Sequence, residues 1–165
     1  MSFRILLLAF SILLLSCSKD KPEYEFKNDV DPYQEYKVAY EAFLEGDYFF
    51  AQKKFSEAEL NFESVELAAK SSVMASYCLY GINFYTEAIE SLNIYFKKYP
   101  ADKNLVYAHY LNAIIYFEQI SDERKDIEPL LKAKAKIDFF LNKFPNSEYA
   151  LDLKFKKDLI INQMA

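Results

Sequence analysis

Few residues in this chain have the type and spacing that chemistry needs. The single histidine, His109, lies in an apolar run that reads as helix, and the nearest acid in its register, Asp102, is more than one turn away. A general base needs a partner within hydrogen-bond reach, so His109 reads as a structural helix residue. Glu57, Glu59, Glu63 and Glu66 make an acidic cluster, yet solvated helix faces carry the same pattern, and general-acid work needs a desolvated carboxyl. Two cysteines, Cys17 and Cys78, supply neither a disulfide framework nor the Cys/His spacing of a metal site. Two glycines argue against phosphate-cradling loops, and a net charge of −5 offers no basic surface to a nucleic acid. The reading is a binding protein, not an enzyme, with no cofactor and no metal.

Cys17 is the exception. Arg4 forms a minimal positive region, and the eleven residues Ile5 to Leu15 are apolar apart from Ser11. That run fits a signal segment and is short of the roughly 20 residues a bilayer span requires. The ending Leu14-Leu15-Ser16-Cys17 is similar to the bacterial lipobox, in which small residues precede a cysteine that becomes lipidated. Residues 1–16 are therefore expected to be a leader, and the several acyl chains on Cys17 a stable anchor. Under the sorting rule that comes with that motif, Ser18 directs the protein to the outer membrane, facing the periplasm. Residues 17–32, the lipidated Cys and SKDKPEYEFKNDVDP, mix charges with two prolines and read as a flexible tether. Cys78 then has no partner within the chain and reads as a small core hydrophobe.

The rest, residues 33–165, must supply the architecture, and it repeats. Gly46-Asp47-Tyr48-x-x-Ala51-x-x-x-Phe55 is answered 37 residues later by Tyr85-x-x-Ala88-x-x-x-Leu92, and after 45 more by Leu130-x-x-Ala133-x-x-x-Ile137. Small residues also recur at Ala39, Ser76 and Ala113, again 37 apart. Small side chains at these positions let two antiparallel helices approach closely, while Phe55, Leu92 and Ile137 fill the space between hairpins. Gly46 and Asn83 suit a left-handed helix end, and Pro100 and Pro145 stop helices. The expected helices are Tyr33–Glu45, Tyr48–Leu60, Ser64–Tyr80, Tyr85–Tyr99, Asn104–Gln119, Glu128–Phe144 and Ser147–Gln163. Eight extra residues separate the helices of the third pair, and Ile120–Ile127 reads as a polar loop, either a solvated elaboration or a contact for a neighbouring subunit.

Gly-Asp-Tyr-x-x-Ala at residues 46–51, met partly at 83–88, resembles the tetratricopeptide family. The resemblance implies an all-α fold, an α-solenoid of antiparallel helix hairpins, here about three and a half of them. It also implies that the first helices line a concave face. Counted from Ala39, Ser76 and Ala113, the inward stripe is Tyr33, Tyr36, Tyr40 and Phe43; then Lys70, Val73, Tyr77 and Tyr80; then Tyr107, Tyr110, Ile114 and Phe117. Nine of these twelve are Tyr or Phe, in a chain that is 18% aromatic with fourteen Tyr, fifteen Phe and no Trp. Two causes fit: packing of first helices against each other, or a groove for an extended peptide, since tyrosine offers a broad apolar face and a hydroxyl at little entropic cost.

A narrower resemblance rests on Tyr99-Pro100, Tyr107-Ala108-x-Tyr110-Leu111, Tyr116-Phe117-Glu118-Gln119 and, after the insertion, Phe144-Pro145-Asn146-Ser147-Glu148-Tyr149-Ala150. With the lipobox and tether, these strings look like the BamD family of outer-membrane assembly lipoproteins. That resemblance implies a non-catalytic scaffold of the β-barrel assembly machinery. Its partners would be a BamA-like barrel subunit, other Bam lipoproteins and unfolded outer-membrane protein segments, with the membrane reached through the lipid anchor. Members usually have about five hairpins, so a C-terminally truncated member is expected. A periplasmic tetratricopeptide adaptor of cell-wall or division machinery is the alternative.

Overall fold

The repeat spacing sets the fold, and the helices fall where it places them. The computed structural model describes residues 31–120 and 127–164. The leader, Cys17, the tether up to residue 30 and positions 121–126 of the insertion lie outside the described residues. Among the described residues there are seven helices and no strand: α1 (Pro32–Glu45), α2 (Tyr48–Asn61), α3 (Val65–Gly81), α4 (Tyr85–Lys98), α5 (Leu105–Glu118), α6 (Glu128–Lys143) and α7 (Ala150–Met164). Asp31, Asp47 and Ser64 cap α1, α2 and α3, each accepting a hydrogen bond from a backbone N–H of the first turn. The last helix begins at Ala150 instead of Ser147, because Ser147 to Tyr149 form a turn closed by the Ala150 N–H donating to the Ser147 carbonyl at 3.1 Å.

The ends of the hairpins repeat as closely as the sequence does. Gly46 has φ +81° and Asn83 φ +62°, the two left-handed residues of the described chain. After each, the next N–H reaches back to the helix: Asp47 to the Ala42 carbonyl and Phe84 to the Leu79 carbonyl, both at 2.9 Å. Tyr99 and Phe144, the residues before Pro100 and Pro145, close α4 and α6 with the same 2.8 Å bond to the carbonyl four residues back. Both have left the helical region, with φ −127° and −131° and ψ 56° and 54°, as the proline that follows requires.

Ala39, Ala51, Ser76, Ala88, Ala113 and Ala133 are all fully buried, and so are Phe55, Leu92 and Ile137 between hairpins. Cys78 is buried among them, its thiol pushed up to about 12 by loss of hydration. Each hairpin is tied to the next by polar contacts. The Tyr95 hydroxyl donates to Asp102 at 2.6 Å, the Tyr99 hydroxyl to Glu59 at 2.8 Å, and Lys98 also reaches Glu59 at 2.8 Å. The four glutamates of the acidic run therefore do not act as one cluster. Glu57 pairs with Lys54 of its own helix, whereas Glu59 reaches Lys98 of α4 and Glu66 of α3 reaches Lys103 in the turn before α5.

The second glycine has a separate reason. A Cβ on Gly81 would stand 2.7 Å from the Tyr48 ring, whereas one on Gly46 would meet nothing within 4 Å. Gly46→Ala is expected to cost about 1–2 kcal/mol for its left-handed backbone. Gly81→Ala should cost more and displace Tyr48. Urea denaturation of the two variants, with near-ultraviolet dichroism for the tyrosine environment, checks the order; equal losses would contradict it.

Candidate functional site

The stripe expected to face inward comes from α1, α3 and α5, and its members differ in a telling way. The two apolar non-aromatic positions, Val73 and Ile114, are buried. None of the nine rings is buried: Tyr33 and Tyr40 are exposed, and Tyr36, Phe43, Tyr77, Tyr80, Tyr107, Tyr110 and Phe117 are half-buried. The branched side chains pack between helices while the rings spread along the surface they make.

Along that surface the rings form two runs. In the first, Tyr33 meets Phe62 edge-on at 5.2 Å, Tyr36 stacks on Tyr40, Tyr40 stacks on Phe43, and Phe43 meets Tyr77 at 5.6 Å. Tyr77 continues to Tyr80 at 5.9 Å. In the second, Tyr107 neighbours Tyr110, and Tyr149 stacks on Tyr110 at 4.4 Å. Phe117 stands apart from both runs, beneath the Lys156 ammonium at 5.2 Å. Between the runs lies a hollow of about 400 Å³ lined by Phe43, Lys70, Val73, Met74, Tyr77, Asn104 and Tyr107. Three first helices thus converge on one concavity, and Lys70, over the Tyr36 ring at 5.2 Å, places a cation at its rim.

Burial raises the Tyr80, Tyr107, Tyr110 and Tyr149 phenols of this face above their ordinary value. Burial, and then the neighbouring hydroxyls of Tyr77, Tyr149, Tyr110 and Tyr80, push the Tyr107 phenol up from its ordinary value. Burial and the Asp152 carboxylate, which accepts from the Tyr110 hydroxyl at 3.0 Å, raise Tyr110 to about 12. A row of hydroxyls beside apolar ring faces can give and take hydrogen bonds along an extended backbone while burying its apolar side chains.

Sequence reasoning missed Tyr48, Phe62 and Tyr149 as members of this surface. Tyr48 packs against Phe43 and Tyr77, and Phe62 against Tyr33 and Tyr36. Tyr149 lies in the turn before α7, outside any helical register, so the period could not reveal it. Among the described residues no group of His, Cys, Asp or Glu is arranged to hold a metal ion. His109 stacks on Phe96 at 4.1 Å, away from the ring stripe.

A family model described as YfiO, outer membrane lipoprotein, matches residues 28–165. The chain belongs to this outer-membrane lipoprotein family. It is 35% identical over 120 residues to the outer membrane protein assembly factor BamD of Caulobacter vibrioides, covering 73% of the chain and 39% of that protein. It is 30% identical over 128 residues to the BamD of Rickettsia prowazekii, covering 73% of the chain and 51% of the relative. The BamD of Pasteurella multocida is 27% identical over 161 residues, 90% of the chain and 58% of the relative. The chain therefore spans about half the length of the relatives it matches. Membership of this lipoprotein family places it at the outer membrane, and no described helix is long and apolar enough to cross a membrane.

Burial, aided by Lys143 and Lys136, holds His109 down at about 4. Its folded value lies below the ordinary 6.5, so it contributes stability that is complete above about pH 6.5 and lost as the pH falls through 4. Denaturant midpoints of the wild type should fall over that window more steeply than those of His109→Phe; parallel curves would contradict the shift.

Proposed function

We propose that this lipoprotein serves the assembly of β-barrel proteins in the outer membrane as a non-catalytic scaffold. Its three named relatives are outer membrane protein assembly factors, and the family is one of outer-membrane lipoproteins. The observation that carries the mechanism is the run of unburied rings converging from α1, α3 and α5 on one hollow. Rings needed only for packing would be covered by neighbouring helices, as Phe55, Tyr95 and Phe140 are.

The groove would hold the aromatic, alternately apolar end of an unfolded barrel strand. Tyr36, Tyr40, Phe43, Tyr77 and Tyr107 would supply apolar faces, the phenols hydrogen bonds to its backbone, and Lys70 a cation at the rim. Residues 1–16 would be the leader, acylated Cys17 the anchor, and 17–32 the tether that holds the repeat domain, 33–165, off the bilayer. A BamA-like barrel subunit and other Bam lipoproteins would be the partners to which the bound segment is presented.

Two experiments test this reading. Tyr36→Ser, Tyr40→Ser and Tyr77→Ser together should weaken binding of a barrel C-terminal peptide at least about tenfold, measured by fluorescence anisotropy. Unchanged affinity in a folded variant would reject the groove. Cys17→Ala should move the full-length protein from the outer-membrane fraction to the soluble periplasm on cell fractionation; retention in the membrane would refute anchoring through Cys17.

A further inference from the structure

The opposite side of the third hairpin carries a second recess that the ring groove leaves unused. Within this solenoid the step from α2 to α3 is the most extensive helix contact, while the equivalent step from α4 to α5 is thin, and α4 and α6 share no extensive contact. A cleft therefore runs along α5 with α4 and α6 as its walls. Two hollows mark it, of about 410 and 290 Å³, the first over Tyr116 and Gln119 and the second over His109 and Asn112. These four floor residues follow one another along α5 and its C-terminal cap at helical spacing, so the two hollows lie on one side of that helix.

The smaller hollow has an unusual inventory. Asn112 is 5% exposed and its Nδ2 has no hydrogen-bond partner among the described residues. A buried amide without an acceptor costs free energy, and such a group in a native protein marks a place where an acceptor is absent. Lys136 overhangs from α6 with its ammonium 5.0 Å from the Tyr116 ring, and Lys143 lies over Phe139 at 5.4 Å. Neither lysine is in an ion pair among the described residues. Phe96 and Phe139 supply apolar walls, and His109, held neutral, adds no charge of its own.

We infer that this cleft is a second protein-binding site, taking an acidic segment of a partner polypeptide that sets a carboxylate beside an apolar side chain. The carboxylate meets Lys136, the apolar side chain packs on the rings of Phe96, His109 and Phe139, and a backbone or carboxylate oxygen satisfies Asn112. Charge complementarity favours this occupant: Lys136, without a carboxylate partner among the described residues, and Asn112, whose Nδ2 has no acceptor among them, line the same hollow, and that hollow has no acid in its lining. The inference does not depend on the ring groove.

His109 is the sole histidine, so its imidazole proton resonances report on the cleft without ambiguity. The probes are a blocked peptide alternating Asp or Glu with Leu or Phe and the same peptide with Lys at every acid. The acidic peptide should shift the His109 resonances of the full chain saturably. That response should persist in Tyr77→Ser and weaken about tenfold in Lys136→Glu, which reverses the charge at the hollow and is checked for folding by circular dichroism. Asn112→Leu, checked for folding by circular dichroism, should weaken it as well. The site is overturned by an acidic peptide that leaves His109 unmoved or a response unchanged in Lys136→Glu. Equal binding of the Lys peptide, or loss of the response in Tyr77→Ser, overturns it too.

Discussion

Six side chains no larger than serine set how closely the helices of each hairpin can come, and the remainder of the architecture follows from that approach. Ala39 with Ala51, Ser76 with Ala88, and Ala113 with Ala133 leave no exposed surface at the crossing points. Ser76 keeps its hydroxyl from becoming a buried liability by bonding the Ser72 carbonyl at 3.0 Å and the Ser91 hydroxyl at 2.7 Å. Once two backbones are this close, a ring cannot stand between them. Bulk moves to the next layer, where Phe55, Leu92 and Ile137 join hairpin to hairpin, or out to the surface of the first helices.

That displacement bears on why the chain is so rich in rings. Some aromatics are core: Phe55, Tyr95 and Phe140 are fully buried, and the Tyr95 hydroxyl is rescued by Asp102. The stripe of nine is different, because all of its rings but Phe117 meet other rings edgewise, tilted or in stacks without being fully covered. Rings that pack along a surface are rigid there, having little rotamer freedom left to lose when a ligand arrives. A preorganised aromatic surface is therefore what packing among the rings yields, so the two explanations of the stripe are physically continuous.

The sequence made the hairpins legible because each repeated requirement admits few residue types. Only small residues fit the crossings, only Gly or Asn readily takes the positive φ of the turns, and prolines stop helices at equivalent points. The stripe was legible because helical register fixes a face. What escaped were relations between residues far apart in the chain. Gly81 is small because Tyr48 of the preceding hairpin lies against it. Glu59 looked like one acid among four, yet it holds Lys98 and Tyr99 some forty positions on. Tyr149 belongs to a turn, and a turn has no period.

The same logic makes the junction between the second and third hairpins the place where the solenoid is least regular. The first junction is closed by Tyr48 against Gly81 and by the extensive face of α2 on α3. The second relies on a thinner α4 to α5 contact and on side chains at one end, where Tyr95 bonds Asp102 and Phe96 stacks on His109. At that step α5 contributes to both faces of the molecule: Tyr107 and Tyr110 to the ring surface, His109, Asn112 and Tyr116 to the cleft behind it. Those positions lie on opposite sides of one helix, so its 3.6-residue period alone sorts the rings to one face and the cleft floor to the other.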